Sequence, residues 1–175
     1  MGTENHPVWI VYDDLRTARL NVKYYECQLQ KLQRVNTAME LCLAFTAPSS
    51  AFAGFAFWKY EIGQVVWSLL GSISAIVALC KPILALTKKI RDMESVVQGY
   101  RLLYFELKEI RSAIEQEKRF GPTLKLQLKK CSQREKELVS RNPESKPNKK
   151  LRRTCMDEVM RELPLDSFYI PPEAE

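Results

Sequence analysis

The sequence predicts an all-α membrane protein: a two-helix transmembrane hairpin extended by a cytosolic antiparallel coiled coil. Three observations predict it. Apolar and charged residues are segregated along the 175-residue chain, with only Lys59 and Glu61 charged between residues 41 and 80. Two uncharged stretches in that interval, 41–58 and 62–80, are each long enough to cross a bilayer. A heptad-spaced apolar seam runs on either side of them. Soluble domains mix polar and apolar residues at a period of two or about 3.6, so segregation on this scale points to two solvents.

Residues 1–40 read as a cytosolic N-terminal helix. The opening Met1–Pro7 has neither the basic nor the apolar region of a secretory signal. Its Met-Gly start carries His6 where a myristoylation signal has Ser or Thr. From Val8 the apolar positions run Val8, Val11, Leu15, Ala18, Val22, Tyr25, Leu29 and Leu32, alternating by three and four, then Val35 and Met39. That is a coiled-coil seam of more than three heptads.

Residues 41–80 form the predicted hairpin. At 1.5 Å per residue each stretch spans roughly 27–28 Å, close to the hydrocarbon thickness of a bilayer. Their all-round hydrophobicity argues against a small soluble bundle, whose helices need a polar face. Pro48, Ser49 and Ser50 interrupt the first stretch. Only Lys59, Tyr60 and Glu61 separate the two, which makes them antiparallel neighbours, and Trp58, Tyr60 and Trp67 gather at the turn as interfacial aromatics do. Lys23, Lys31 and Arg34 precede the hairpin and Lys81, Lys88, Lys89 and Arg91 follow it. By the positive-inside rule both termini lie in the cytoplasm. The expected location is the cell inner membrane, crossed more than once.

Residues 81–120 read as a long cytosolic helix leaving the membrane at Lys81-Pro82. Its seam, Ile83, Leu86, Ile90, Met93, Val97, Tyr100, Tyr104 and Leu107, then Ile110 and Ile114, repeats the spacing of the first. The simplest pairing joins the two seams within one chain, and pairing between subunits is the alternative. Gly121-Pro122 ends this arm. Residues 121–175 read as basic C-terminal helices and a tail. A thin stripe of Leu124, Leu128, Cys131 and Leu138 is followed by a linker over 141–148, then Leu151, Cys155, Val159 and Leu163, then Pro171-Pro172.

Catalysis is not expected. The sequence has no Gly-rich phosphate loop, metal-ligand cluster or nucleophile elbow, and no cofactor is implied. Its five cysteines stand far apart beside a single histidine, which supports neither zinc nor a disulfide framework. The basic run from Lys146 through Lys149, Lys150, Arg152 and Arg153 contributes to the net charge of +6. Beside a membrane segment it reads as a contact for anionic lipid, and without interleaved aromatics it gives no reason to expect nucleic acid.

The membrane segments carry the remaining candidates. Gln64, Ser68, Gly71 and Ala75, with Ala78, share one face of the second helix, and Thr46 and Ser50, with Ser49 nearby, share one of the first. Such residues either permit close helix packing or line a water-filled path once hairpins assemble. Glu40, at the cytoplasmic entrance, either pairs with Arg34 or joins a charged ring.

The order of these parts resembles the SLATT proteins, bacterial two-transmembrane effectors of conflict systems. A polar helix leads into paired membrane segments at 41–58 and 62–80, and a long charged helix follows at 83–119. The resemblance covers about residues 8–119 and rests on layout. It implies homo-oligomerisation in the inner membrane and pore opening during phage infection, arresting or killing the cell (abortive infection). No nucleotide-binding domain is recognisable here, so the trigger would come from a sensor or signalling partner or act on residues 120–175. A non-conducting anchor whose coiled coil recruits a partner is the alternative of a different class. A holin-like lysis protein is a nearer one, disfavoured by the long cytosolic arms.

Overall fold

A computed structural model describes residues 6–57, 61–142 and 146–171. Its regular elements are all helical: α1 (Val8–Phe57), α2 (Glu61–Leu84), α3 (Leu86–Glu117), α4 (Pro122–Ser140) and α5 (Lys149–Glu162). A 3-10 turn, Leu165–Ser167, follows α5. The contacts divide the chain into two units. One comprises Met1–Gln28 with Asp92–Glu175, the other Leu29–Arg91.

The first unit is a helical bundle. Along α1 the seam residues Val8, Val11, Leu15, Ala18, Val22 and Tyr25 are buried, and along α3 so are Met93, Val97, Tyr100, Leu107, Ile110 and Ile114. The Tyr25 and Tyr100 rings stack across the seam at 5.5 Å, and Arg101 grips Glu26 at 2.6 Å. The seams are only part of the core. Tyr12, Leu20 and Tyr24 of α1 and Val96 and Leu103 of α3 are buried as well. A strict two-helix seam is narrower than this, and an apolar stripe that widens needs additional partners.

Those partners are α4 and α5, so the two-stranded cytosolic coiled coil expected from the seams is built here as a bundle. α4 contributes Leu124, Cys131 and Leu138, seven residues apart, and α5 contributes Cys155 and Val159. α5 runs antiparallel to α1. Arg16 donates to the Leu163 carbonyl at 2.6 Å, Arg19 pairs with Glu162 at 2.8 Å, and Lys23 pairs with Glu158 at 2.7 Å. The segment after α5 returns to the start of α1, where Tyr12 lies flat on Phe168 and its hydroxyl donates to the Tyr169 carbonyl. Burial, helped by Glu115, pushes that phenol up to about 12.

Residues 143–145 of the expected linker lie outside the described residues, but its flanks are fixed within this unit. Asn142 donates to the Tyr25 hydroxyl at 2.6 Å, and the Asn148 amide donates to that of Tyr24 at 2.8 Å. Asn148 also caps α5, its side chain accepting from the Leu151 amide.

The second unit contains the C-terminal part of α1, α2 and the start of α3. α1 is continuous from Val8 to Phe57, so the expected boundary between residues 40 and 41 coincides with no break in the backbone. No Gly or Pro near residue 40 would stop a helix there. The seam loosens in this unit. Leu29, Leu32 and Met39 are half-buried and Val35 is exposed, while Leu86 is buried and Ile83 is open to the surroundings.

Pro82 is accommodated inside α2, and the break comes three residues later, at Ala85. Ala85 adopts a left-handed φ of 46°, with its amide donating to the Pro82 carbonyl at 3.2 Å. α3 stops at Glu117, before the expected Gly121-Pro122 signal, with Lys118 left-handed at a φ of 56°. The Lys118 ammonium sits 4.2 Å from the centre of the Tyr169 ring, a cation–π contact that helps hold this turn. Pro122 opens α4, as the sequence signal predicts for a new first turn.

Candidate functional site

Among the described residues one helix is long and apolar enough to cross a membrane, over Ile62–Leu84. No residue of its most apolar stretch is fully buried within the chain. The expected turn at Lys59 and Tyr60 lies outside the described residues. Thr46, Ser49 and Ser50 fall within α1, but their side chains, like that of Trp67, lie outside those described.

The faces of α2 can be assigned from exposure. Gly63, Ser74, Val77 and Lys81 are half-buried and recur at helical spacing. Lys81 pairs with Glu40 of α1 at 3.3 Å, which identifies this face as the one turned toward α1. Gln64, Ser68, Gly71, Ala75 and Ala78 lie one position around the helix and are exposed. A Cβ placed on Gly71 would meet nothing within 4 Å. The small residue at 71 therefore does not serve packing within one chain. Ser72 turns its hydroxyl back to the Ser68 carbonyl at 2.8 Å, the usual way to satisfy a hydroxyl on an apolar helix.

Within the chain Glu40 pairs with a residue of another helix. Its partner is Lys81 rather than Arg34, and Asn36 also donates to it, at 3.0 Å. Sequence spacing favoured a partner on the same helix. The contact of α2 with α1 instead brings Lys81, 41 positions away, to the same level.

Lys149, Lys150, Arg152 and Arg153 are exposed on the first turns of α5. Tyr24 and Tyr25 hold the α4–α5 connection at the end of the bundle where α1 leaves it, a few residues before Gln28. The basic cluster thus lies beside the Tyr24 end of the α1 segment in this unit. Tyr24 and Tyr25 were assigned no such role from sequence, although two adjacent tyrosines spanning a seam and its flank are a recognisable signal.

At the opposite end of the same unit, α3 and α4 enclose a groove of about 1120 Å³ lined by Glu106, Glu109, Phe120, Lys125, Lys130 and Arg134, among others. Sequence periodicity had not indicated it, because it forms where α3 turns into α4. Cys131 reaches its floor and donates to Glu106, which also pairs with Arg134. Burial and the Glu106 carboxylate push the Cys131 thiol up to about 11. Among the described residues no cluster of three or more His, Cys, Asp or Glu side chains is placed to hold a metal.

No family model matches the chain, and no curated protein or solved structure matches it.

Proposed function

We propose that the chain is a membrane effector that oligomerises through its paired membrane segments and forms a pore or otherwise disrupts the inner membrane. The bundle would control it from the cytoplasm, with both termini on that side, as in the SLATT-type effectors that the layout resembles. The role this suggests is abortive-infection defence against phage. One observation carries the reading: the face of α2 bearing Gln64, Ser68, Gly71 and Ala75 is left open by its own chain. Assembly covers that exposed face, either with a second copy packed through its small residues or with water along a shared path. The basic start of α5 then meets anionic headgroups at the cytoplasmic surface.

Controlled expression in bacteria with a potential-sensitive dye tests this. The unaltered chain should collapse the membrane potential, and the double variant Gln64→Leu/Ser68→Leu at equal expression should not. Unchanged depolarisation by that variant would sink the assignment of this face. The second reading, a non-conducting anchor that recruits a soluble partner, is favoured by the α3–α4 groove. It predicts an intact potential and a single co-purifying protein that is lost on a Lys130→Glu/Arg134→Glu change.

A further inference from the structure

The ladder joining α1 to α5 has one more rung. Arg19 meets Glu162 and Lys23 meets both Glu158 and Glu162, at 2.7–2.8 Å. Continuing the antiparallel register of these ion pairs by one turn sets Cys27 opposite Cys155, near enough that Cys27 helps raise the Cys155 thiol. Both are reduced, Cys27 half-exposed and Cys155 buried. The other three cysteines have different surroundings: Cys131 is bonded to Glu106, and Cys42 and Cys80 belong to the other unit.

We propose that Cys27 and Cys155 are a dithiol modification site at which hydrogen peroxide closes an intramolecular disulfide between α1 and α5. The asymmetry of the pair sets the order of events. Cys27, the accessible sulfur, attacks as thiolate and breaks the peroxide O–O bond. It becomes a sulfenic acid, and the departing hydroxide takes up a proton as water. Cys155 then attacks the sulfenic sulfur, breaking its S–O bond. The proton that Cys155 gives up leaves with the second hydroxide as water. Two thiols and one peroxide thus become one disulfide and two waters, the sulfur pair losing two electrons to the peroxide oxygens. Burial holds the Cys155 thiol protonated, which suits the resolving rather than the attacking partner.

Ion pairs, hydrogen bonds from Arg16 and the packing of Val159 tie α5 to α1 in the reduced chain. The disulfide converts that docking into a covalent one. It spans a long stretch of sequence, and cross-links that close long loops restrict the unfolded chain most. Reduction by a thiol reverses it.

The test uses the full chain in detergent with Cys42 and Cys80 changed to Ala. After hydrogen peroxide and alkylation, two of the three remaining thiols should be protected. Digestion should yield a Cys27 peptide linked to a Cys155 peptide, lighter than their sum by two hydrogens. Dithiothreitol should restore both thiols, and the oxidised chain should melt at a higher temperature than the reduced one. Cys27→Ser and Cys155→Ser should each abolish the linked peptide, with unchanged helical circular dichroism showing that the variant is folded. Cys27 recovered as a sulfinic acid beside an alkylatable Cys155, or linked to Cys27 of a second copy, would overturn the proposal.

Discussion

The Tyr12 ring lies flat against that of Phe168, their centres 4.0 Å apart and their planes 10° from parallel. Arg16 and Arg111 both reach over the Phe168 ring, each 4.9 Å from its centre. One aromatic side chain thereby ties the segment after α5 to α1 and α3 together. Changing Phe168→Ala removes a buried ring, its stacking partner and two cation–π contacts. The expected loss is about 3 kcal/mol, read as a lower midpoint in urea. Tyr12→Phe keeps the ring and loses only the hydrogen bond to the Tyr169 carbonyl, at about 1 kcal/mol.

Asp14 makes the bundle sensitive to mild acid. Burial, then the negative charges of Glu135 and Asp13, raise its carboxyl from 3.8 to about 6. A group whose folded value is raised favours the folded state when protonated, so this one detracts from stability above pH ~6. That deficit fades as pH falls toward 4. Asp14→Asn should therefore be more stable than the parent at pH 7, with the difference closing by pH ~4 in chemical denaturation at a series of pH values. Glu162 acts in the opposite sense and in a lower window. Arg19 and Lys23 hold its carboxyl down, so its contribution is present above its ordinary value of 4.5 and is lost only as pH falls below that.

Gly99 is required by contact. A Cβ there would fall inside the van der Waals surface of Leu138 Cδ2 and 3.3 Å from its Cγ. Gly99→Ala gains helix propensity but overpacks the α3–α4 contact. The expected net cost is about 1 kcal/mol. Pairing it with Leu138→Val should recover most of that in a double-mutant cycle, and additive losses would show that the contact is not the cause.

Ala85 stores strain between α2 and α3. A left-handed conformation costs an L-residue about 1–2 kcal/mol, and glycine carries no such penalty. Ala85→Gly should raise the unfolding midpoint of the chain, whereas Ala85→Val should lower it. Equal midpoints for all three would show that this turn stores no strain.

The helical class, both seams and the start of α4 at Pro122 were legible because each rests on local periodicity or a local stop signal. The bundle was less so. Tyr12, Leu20 and Tyr24, with Val96 and Leu103, widen the two stripes beyond a pairwise seam, and that excess calls for further helices. The short basic helices gave little apolar signal of their own, since only Leu124, Cys131 and Leu138 of α4 are buried. The partner of Glu40 and the meeting of Cys27 with Cys155 depend on register between distant segments, which no window of sequence contains. The small-residue face of α2 was readable. That it turns away from α1 was not, because periodicity defines faces without saying which neighbour each one meets.

The stack of Tyr12 on Phe168 also sets a schedule. The two rings are separated by most of the chain, and the accompanying hydrogen bond closes 157 positions. At 5–20 residues per second, α1 waits roughly 10–30 s after emerging from the ribosome before this partner exists. Within that interval the apolar α2 is synthesised, while Tyr12 and its neighbours still lack their cover. This closure of the bundle therefore comes only after the most apolar helix has been synthesised.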